Sequence, residues 1–204
     1  LSTLSTLHFG VKLEAFDPNG IIAKTEISLI NTYDLTHQEA GRFSAFENGQ
    51  DGFVPEVIET RIPLLDESYK LPWLCQSIDL SVLDAQNDSV NIGSFQLNFL
   101  TGNSSGEISI PFIETRNAAI LNSARAIKAI MFPDGVDGGT QALPKDYLMR
   151  MTIYIYDKHS YSTRVFEIQH LVALQTGSIP LDATNRGGVG IVTLNFIKMF
   201  PMLE

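Results

Sequence analysis

Scarcity sets the first bounds on this chain of 204 residues. It holds one cysteine, Cys75, so it can form neither an internal disulfide nor a multi-cysteine zinc site, which fits a reducing compartment or assembly inside a cell. Cys75 lies in the apolar stretch Leu71–Cys75 and is read as a small buried hydrophobe. Basic charge is scarce too. Against 23 acidic residues stand 14 Lys and Arg, a net charge of -9, which argues against a protein that grips nucleic acid by its phosphates. There is no apolar run of about eighteen residues and no charged-then-apolar opening, so neither membrane insertion nor classical secretion is expected. The chain opens at Leu1 without Met.

Recognisable chemistry is equally sparse. His8, His37, His159 and His170 share no metal-ligand spacing and are read as turn or surface residues. No GxSxG elbow presents a serine. The Gly-rich run Arg186–Gly190 lacks the Lys-Ser/Thr of a phosphate loop and precedes a strand instead of a helix. Asp134–Gly139 places two carboxylates among glycines but lacks the ladder of oxygen ligands that calcium needs. Asn87-Asp88-Ser89 and Asn103-Ser104-Ser105 match the glycosylation triplet, here read as coincidence. No catalytic, cofactor or metal residue is assigned, and the chain is read as a building block and not as an enzyme.

What is present is a long series of alternating segments. With 44% hydrophobic residues the chain can bury a core, and one domain spanning residues 1–204 is expected, with a loop or extension at about 31–56. Leu7–Phe16 reads as a first strand, Asp17–Gly20 as a turn, and Ile21–Ile30 as its hairpin partner. Val57–Leu65, Gln76–Leu83 and Val90–Phe99 read as further strands, with a polar turn at Asp84–Asp88. Glu107–Phe112 is expected to fold back on Phe95–Phe99 around a polar tip at Thr101–Gly106.

One amphipathic helix is expected over about Asn117 to Met131. Ile120, Ala124, Ile127 and Met131 share a face, Thr115 or Asn117 caps the start, and Pro133 stops it. After a loop at Asp134–Lys145 come the strands Tyr147–Tyr156, Arg164–Leu174 and Val189–Phe196. The fold class is therefore mainly antiparallel β, a sandwich or partial barrel with one inserted helix. Charge is uneven along it: residues 1–114 carry 5 basic and 16 acidic side chains, residues 115–204 carry 9 and 7. Such asymmetry suits contact between an acidic surface of one copy and a neutral or basic surface of another. Trp73, between Pro72 and Leu74, is read as a core or interface anchor.

Across Leu71–Phe200 the order and texture of these segments resemble the tail tube proteins of contractile-tailed bacteriophages. These are related in fold to the tube proteins of type VI secretion and other contractile injection systems. The resemblance rests on Leu74–Leu80, on Asn98–Phe112 with its tip, and on Ile108–Glu114 running into the helix. It extends through Pro144–Tyr147, Arg164–Leu174, Ser178–Asp182 and Val189–Phe200. Departures are Ala173–Thr176 in place of a proline-containing approach, Phe200 in place of a closing aromatic pair, and a longer first 70 residues.

The resemblance implies a virion protein of the tail, assembled in the host bacterial cytoplasm. Six copies would form a ring and rings would stack head to tail, with sheath, baseplate and tape-measure proteins as partners. DNA would pass through a polar, often acidic lumen without specific binding. Assembly contacts are expected at Trp73, at Thr101, Gly102, Asn103, Ser104, Ser105 and Gly106, and at Arg125 and Lys128 on the helix. A baseplate initiator, a neck terminator or a carrier in a contractile secretion system are alternatives. A β-rich hydrolase using Ser160 or His159 is the remaining one.

Overall fold

The computed structural model describes residues 8–31, 56–82, 85–103, 106–133, 141–157, 160–182, 184 and 188–199. Nine strands fall among them: β1 (Phe9–Ala15), β2 (Glu26–Ile30), β3 (Val57–Arg61), β4 (Ala85–Ile92), β5 (Phe95–Asn103), β6 (Glu107–Ile113), β7 (Met149–Asp157), β8 (Ser160–Ser178) and β9 (Ile191–Lys198). Five of them form one antiparallel sheet in the order β1-β7-β8-β9-β6, and β2-β3 and β4-β5 form two separate two-stranded ribbons.

The alternation read from sequence translates directly into the faces of the large sheet. Val11 lies opposite Ile153 and Leu13 opposite Met151, while Ile110 and Phe112 lie opposite Leu194 and Val192. All eight are buried and form one continuous apolar face. The helix Ala119–Met131 covers part of that face through Ala119, Ile120, Ile127 and Ile130. Short 3-10 turns at Pro63–Leu65 and Leu71–Leu74 extend the cover, with Leu64 and Leu71 buried.

The helix begins as its residues dictate, with one addition. Thr115 Oγ1 accepts from the Ala119 N–H at 2.9 Å, the expected cap, whereas Asn117 Oδ1 instead accepts from the Thr115 hydroxyl at 2.8 Å. The Glu114 carboxylate does more: its two oxygens accept from the N–H groups of Ile120 at 3.1 Å and Leu121 at 2.9 Å. A full negative charge thus sits on donors that the first turn cannot satisfy internally, where the helix dipole also favours it. Ser123, fully buried, donates to the Ala119 carbonyl at 2.6 Å and accepts from the Leu64 N–H at 3.3 Å. That single hydroxyl ties the helix to the 3-10 turn beneath it.

Several expected pairings give way to others. Ile21–Lys24 is a helical turn, and Glu26–Ile30 pairs with Val57–Arg61, so the partner of β1 is the distant β7. Val57–Leu65 ends as a strand at Arg61 because Pro63 opens a 3-10 turn. Of the expected strand Gln76–Leu83, the described residues 76–82 form no strand: the segment meets the sheet at a bridge from the preceding Cys75 to Phe112 and at a bond from the Gln76 N–H to the Pro111 carbonyl at 2.9 Å.

Val90–Phe99 is two strands, divided at Gly93-Ser94, where Gly93 takes a φ of +66° in a two-residue turn. Consequently β5 pairs with β4, whose first residues Ala85–Asp88 replace the expected polar turn, and β6 pairs with β9. The strand expected from Tyr147 starts at Met149, after a helical turn at Pro144–Tyr147. His170 is not a surface residue. It lies buried on β8 opposite Met151. The 32–55 part of the extension, the Ser104-Ser105 tip, the 134–139 carboxylates, His37 and His159 lie outside the described residues.

Candidate assembly surfaces

The β4-β5 ribbon is the most exposed apolar structure in the protein. Its register pairs Ile92 with Phe95, Val90 with Leu97 and Asp88 with Phe99, so five apolar side chains share one face with a single carboxylate, Asp88, toward its end. The opposite face carries amides and a hydroxyl, Asn91 opposite Gln96 and Ser89 opposite Asn98, followed by Leu100 opposite Asn87. Phe95 is 76% exposed, and Val90, Ile92, Leu97, Phe99 and Leu100 are exposed with it. A two-stranded ribbon is marginal alone and a contiguous apolar patch of this kind marks a contact surface. Between Asp88 and Glu107 the chain carries no charged residue, so Asp88 is the one charge that burial of the ribbon's apolar face has to accommodate.

A second apolar surface lies where the buried face of the large sheet outruns its cover. Phe9, Ile153 and Ile155 on β1 and β7 meet Cys75, Ile78 and Leu80 of the extended segment, framing an open trough of about 540 Å³ whose remaining lining residues are Gln76 and Ser77. No lining residue is charged. Cys75 donates its thiol hydrogen to the Ser77 carbonyl at 3.3 Å, and burial pushes its pKa up to about 11. Thiolate is therefore scarce at neutral pH. Alkylation by iodoacetamide at pH 7.5 is expected to run about a hundredfold slower than for an unperturbed thiol, and to accelerate about tenfold per pH unit up to about 11. A rate equal to that of free cysteine, measured by mass spectrometry, would refute this burial.

The two edges of the large sheet differ. On β6, Pro111 offers no N–H, and the Cys75–Gln76 segment already occupies part of its outer side. On β1 no described strand pairs with the outer side. Lys12 and Glu14 on that strand are joined as an ion pair at 2.7 Å. Beside it, Tyr154 lies across Gly10, a position where any side chain would collide with the phenol ring. Tyr156 meets the same ring edge-on at 5.0 Å, and the Arg164 guanidinium sits 4.7 Å from its centroid. Burial, reinforced by Tyr156, holds the Tyr154 hydroxyl up at about 12. This cluster and Trp73 line a small cavity of about 150 Å³ with Lys12, Glu14 and Glu67.

The residues singled out from sequence fall on three separate surfaces. Trp73 is 66% exposed on its 3-10 turn, which excludes a place in the core of this chain. Thr101 and Gly102 are exposed at the end of β5, and Asn103 closes that strand. Gly106 accepts from the Lys198 N–H at 3.0 Å, and Ser104 and Ser105 lie outside the described residues. Arg125 and Lys128 are exposed on the helix, at a groove that also includes Leu121, Met131, Phe132 and Leu174. Sequence reasoning missed the apolar ribbon, although Gly-Ser between two alternating runs is a recognised turn signal. It also missed the trough, because that surface is assembled from three distant segments.

Among the described residues no group of three or more His, Cys, Asp or Glu could hold a metal, and no helix is long and apolar enough to cross a membrane.

No family model matches this sequence, and no curated protein sequence matches it either. Among solved structures, the chain is similar to one from the sheath/tube terminator of an extracellular contractile injection system, PVC, in its extended state. That likeness has a TM-score of 0.50 at 8% identity and covers 98% of this chain and 95% of the other. A chain of the PVC sheath-tube complex in its extended state aligns at a TM-score of 0.49 with 6% identity, covering 97% of this chain and 88% of that one. A chain of the anti-feeding prophage (AFP) baseplate aligns at 0.47 with 12% identity, covering 100% and 97%. These two add nothing to the fold assignment. The protein thus has the mainly antiparallel β, tail-tube-like fold that the resemblance implied, shared over nearly its whole length with a component of a contractile injection system.

Proposed function

We propose that this protein is a structural subunit of a contractile tail or injection machine, building a ring of six copies that surrounds a channel. The observation that carries the reading is the β4-β5 ribbon, whose apolar face is exposed in the single chain and needs a partner. The fold shared with a chain of the sheath/tube terminator supports it. The open side of β1 and the outer strands of both ribbons offer backbone groups for pairing between copies, and ring closure satisfies all of them at once.

In this reading rings stack head to tail into a tube, with sheath, baseplate and tape-measure proteins as partners. The helix groove carrying Arg125 and Lys128, and exposed Trp73, serve as contact points together with Thr101–Gly106. The assembly belongs to the tail of a virion or a phage-like particle formed in the bacterial cytoplasm, and DNA passes the lumen without specific binding. The role is not enzymatic. A terminator or initiator ring uses the same subunit surfaces and differs in copy number, since it caps a tube and does not extend it.

Negative-stain electron microscopy of the purified protein across a range of concentration tests the proposal. Six-fold rings are expected, with stacking into hollow tubes for a tube subunit and isolated rings for a terminator or initiator. A protein that stays monomeric at high concentration would refute the ring.

A further inference from the structure

Asp88 sets a condition on whatever covers the β4-β5 ribbon. It stands opposite Phe99 at one end of the apolar face, its Oδ1 accepts from the Ser89 N–H at 2.8 Å, and among the described residues it has no cationic partner. Every described side chain of the two strands is exposed in the single chain. Burying that face desolvates the carboxylate, at a high cost unless the opposing surface brings a cation. The trough at Phe9, Cys75 and Ile155 brings none. The cavity beside β1 holds Lys12, Lys70 and Arg164, but also Glu14, Asp66 and Glu67. A hollow at Ile22 and Leu65 sets Arg61 against the same three acids.

The groove between the helix and β8 meets the condition. Leu121, Ala124, Met131, Phe132 and Leu174 give it an apolar lining, its volume is about 410 Å³, and Arg125 and Lys128 are its only charged residues. The helix Ala119–Met131 carries no Asp or Glu, and neither cation has an ion-pair partner among the described residues. Lengths agree as well. The ribbon face from Asp88 to Ile92 runs about 13 Å at about 3.3 Å per residue, and Leu121 to Phe132 runs about 16 Å at about 1.5 Å per residue. The ribbon also belongs to the acidic residues 1–114, and the groove to the weakly basic residues 115–204.

We infer that the apolar face of the β4-β5 ribbon of one copy seats in the helix groove of the next copy, with Asp88 paired to Arg125 and Lys128. This rests on the self-assembly reading above and names its contact. Phe95, Leu97 and Phe99 supply the apolar area, and the ion pair fixes which way the ribbon lies along the helix. The contact is heterologous, because ribbon and groove are different surfaces of one chain. Each copy gives its ribbon in one direction and receives one from the other, which closes into a ring when the rotation allows.

Charge reversal on two separate chains provides the test. One chain carries Asp88→Lys, the other Arg125→Glu with Lys128→Glu; each is purified alone, and the two are then mixed in equal amounts. All three positions are exposed in the single chain, so both variants should fold as the parent does, which a thermal melt checks. Alone, each chain sets like charge against like charge at every contact, and its self-association in sedimentation velocity is expected to weaken by about thirtyfold or more. In the mixture the reversed ribbon meets the reversed groove and the unaltered ribbon meets the unaltered groove. Association is then expected to return to within about threefold of the parent. A ribbon lying in the groove of its own chain gains nothing from mixing. Parent-like rings from either variant alone, or two defective variants that mixing does not restore, would overturn the seat; in both cases rings of the parent leave the ring reading standing. Restoration by mixing without six-fold rings in the microscope would support the seat and refute the ring. A parent that stays monomeric at every concentration would overturn both.

Discussion

A chain carrying Phe95→Asp together with Leu97→Asp is expected to melt close to the temperature of the parent at dilutions where the parent is monomeric, and to remain monomeric where the parent assembles. Both side chains are exposed in the single copy, so their loss removes only the cross-strand contacts with Ile92 and Val90. In a contact between copies each contributes about 1.5–3 kcal/mol of burial, and a carboxylate carried into an apolar seat without a partner costs several more. The sum weakens each contact by upward of about a thousandfold. Sedimentation velocity over a concentration series, paired with a thermal melt, separates the two effects. Asn98→Asp, on the amide face and next to Phe99 in sequence, serves as the contrast and should leave assembly nearly intact. Assembly that survives the double substitution, or a melt that collapses with it, would show that the ribbon is not a free contact face.

The opposite behaviour is expected from Phe112→Ala. Phe112 is fully buried near the end of β6, opposite Val192, and forms the bridge to Cys75 that fastens the extended segment to the sheet. Removing its ring leaves a cavity that the rigid sheet cannot close, at a cost of about 3–5 kcal/mol. For a chain of this length that lowers the melting temperature by about 10 °C or more. The trough should suffer as well, since Cys75, Ile78 and Leu80 lose the anchor that holds them beside Ile153 and Ile155. Calorimetry reads the first effect and faster alkylation of Cys75 reads the second. A melt within a degree or two of the parent would mean that the site relaxes around the missing ring.

The mainly antiparallel β class with one inserted helix was legible in advance because it depends on local patterns, whereas its tail-tube-like character was implied only by the resemblance. The helix face carrying Ile120 and Ile127 and the alternation of β7 follow from spacing alone, since 3.6 and 2.0 residues per turn decide which side chains share a side. Buried Ser123 and the Glu114 carboxylate at the helix start were not legible. Each acts on residues that are near in space and unremarkable in sequence, and one joins the helix to Leu64, far back along the chain.

Strand partners were misread for a related reason. Alternation tells which face of a strand is dry and says nothing of what lies beside it, because any strand can satisfy the backbone of any other. Proximity in sequence suggested that Ile21–Ile30 would return on β1 and that β6 would return on β5. Packing chose β7 and β9 instead, because those pairings bring Val11, Leu13, Ile110, Phe112, Met151 and Leu194 into one continuous dry face. By itself the sequence determined a mainly antiparallel β chain with one amphipathic helix and an uncharged stretch between Asp88 and Glu107. Only the tertiary structure decided that this stretch is a ribbon held off the core while an apolar trough stays open beside β1 and β7, because exposure is fixed by what long-range pairing covers and what it leaves bare.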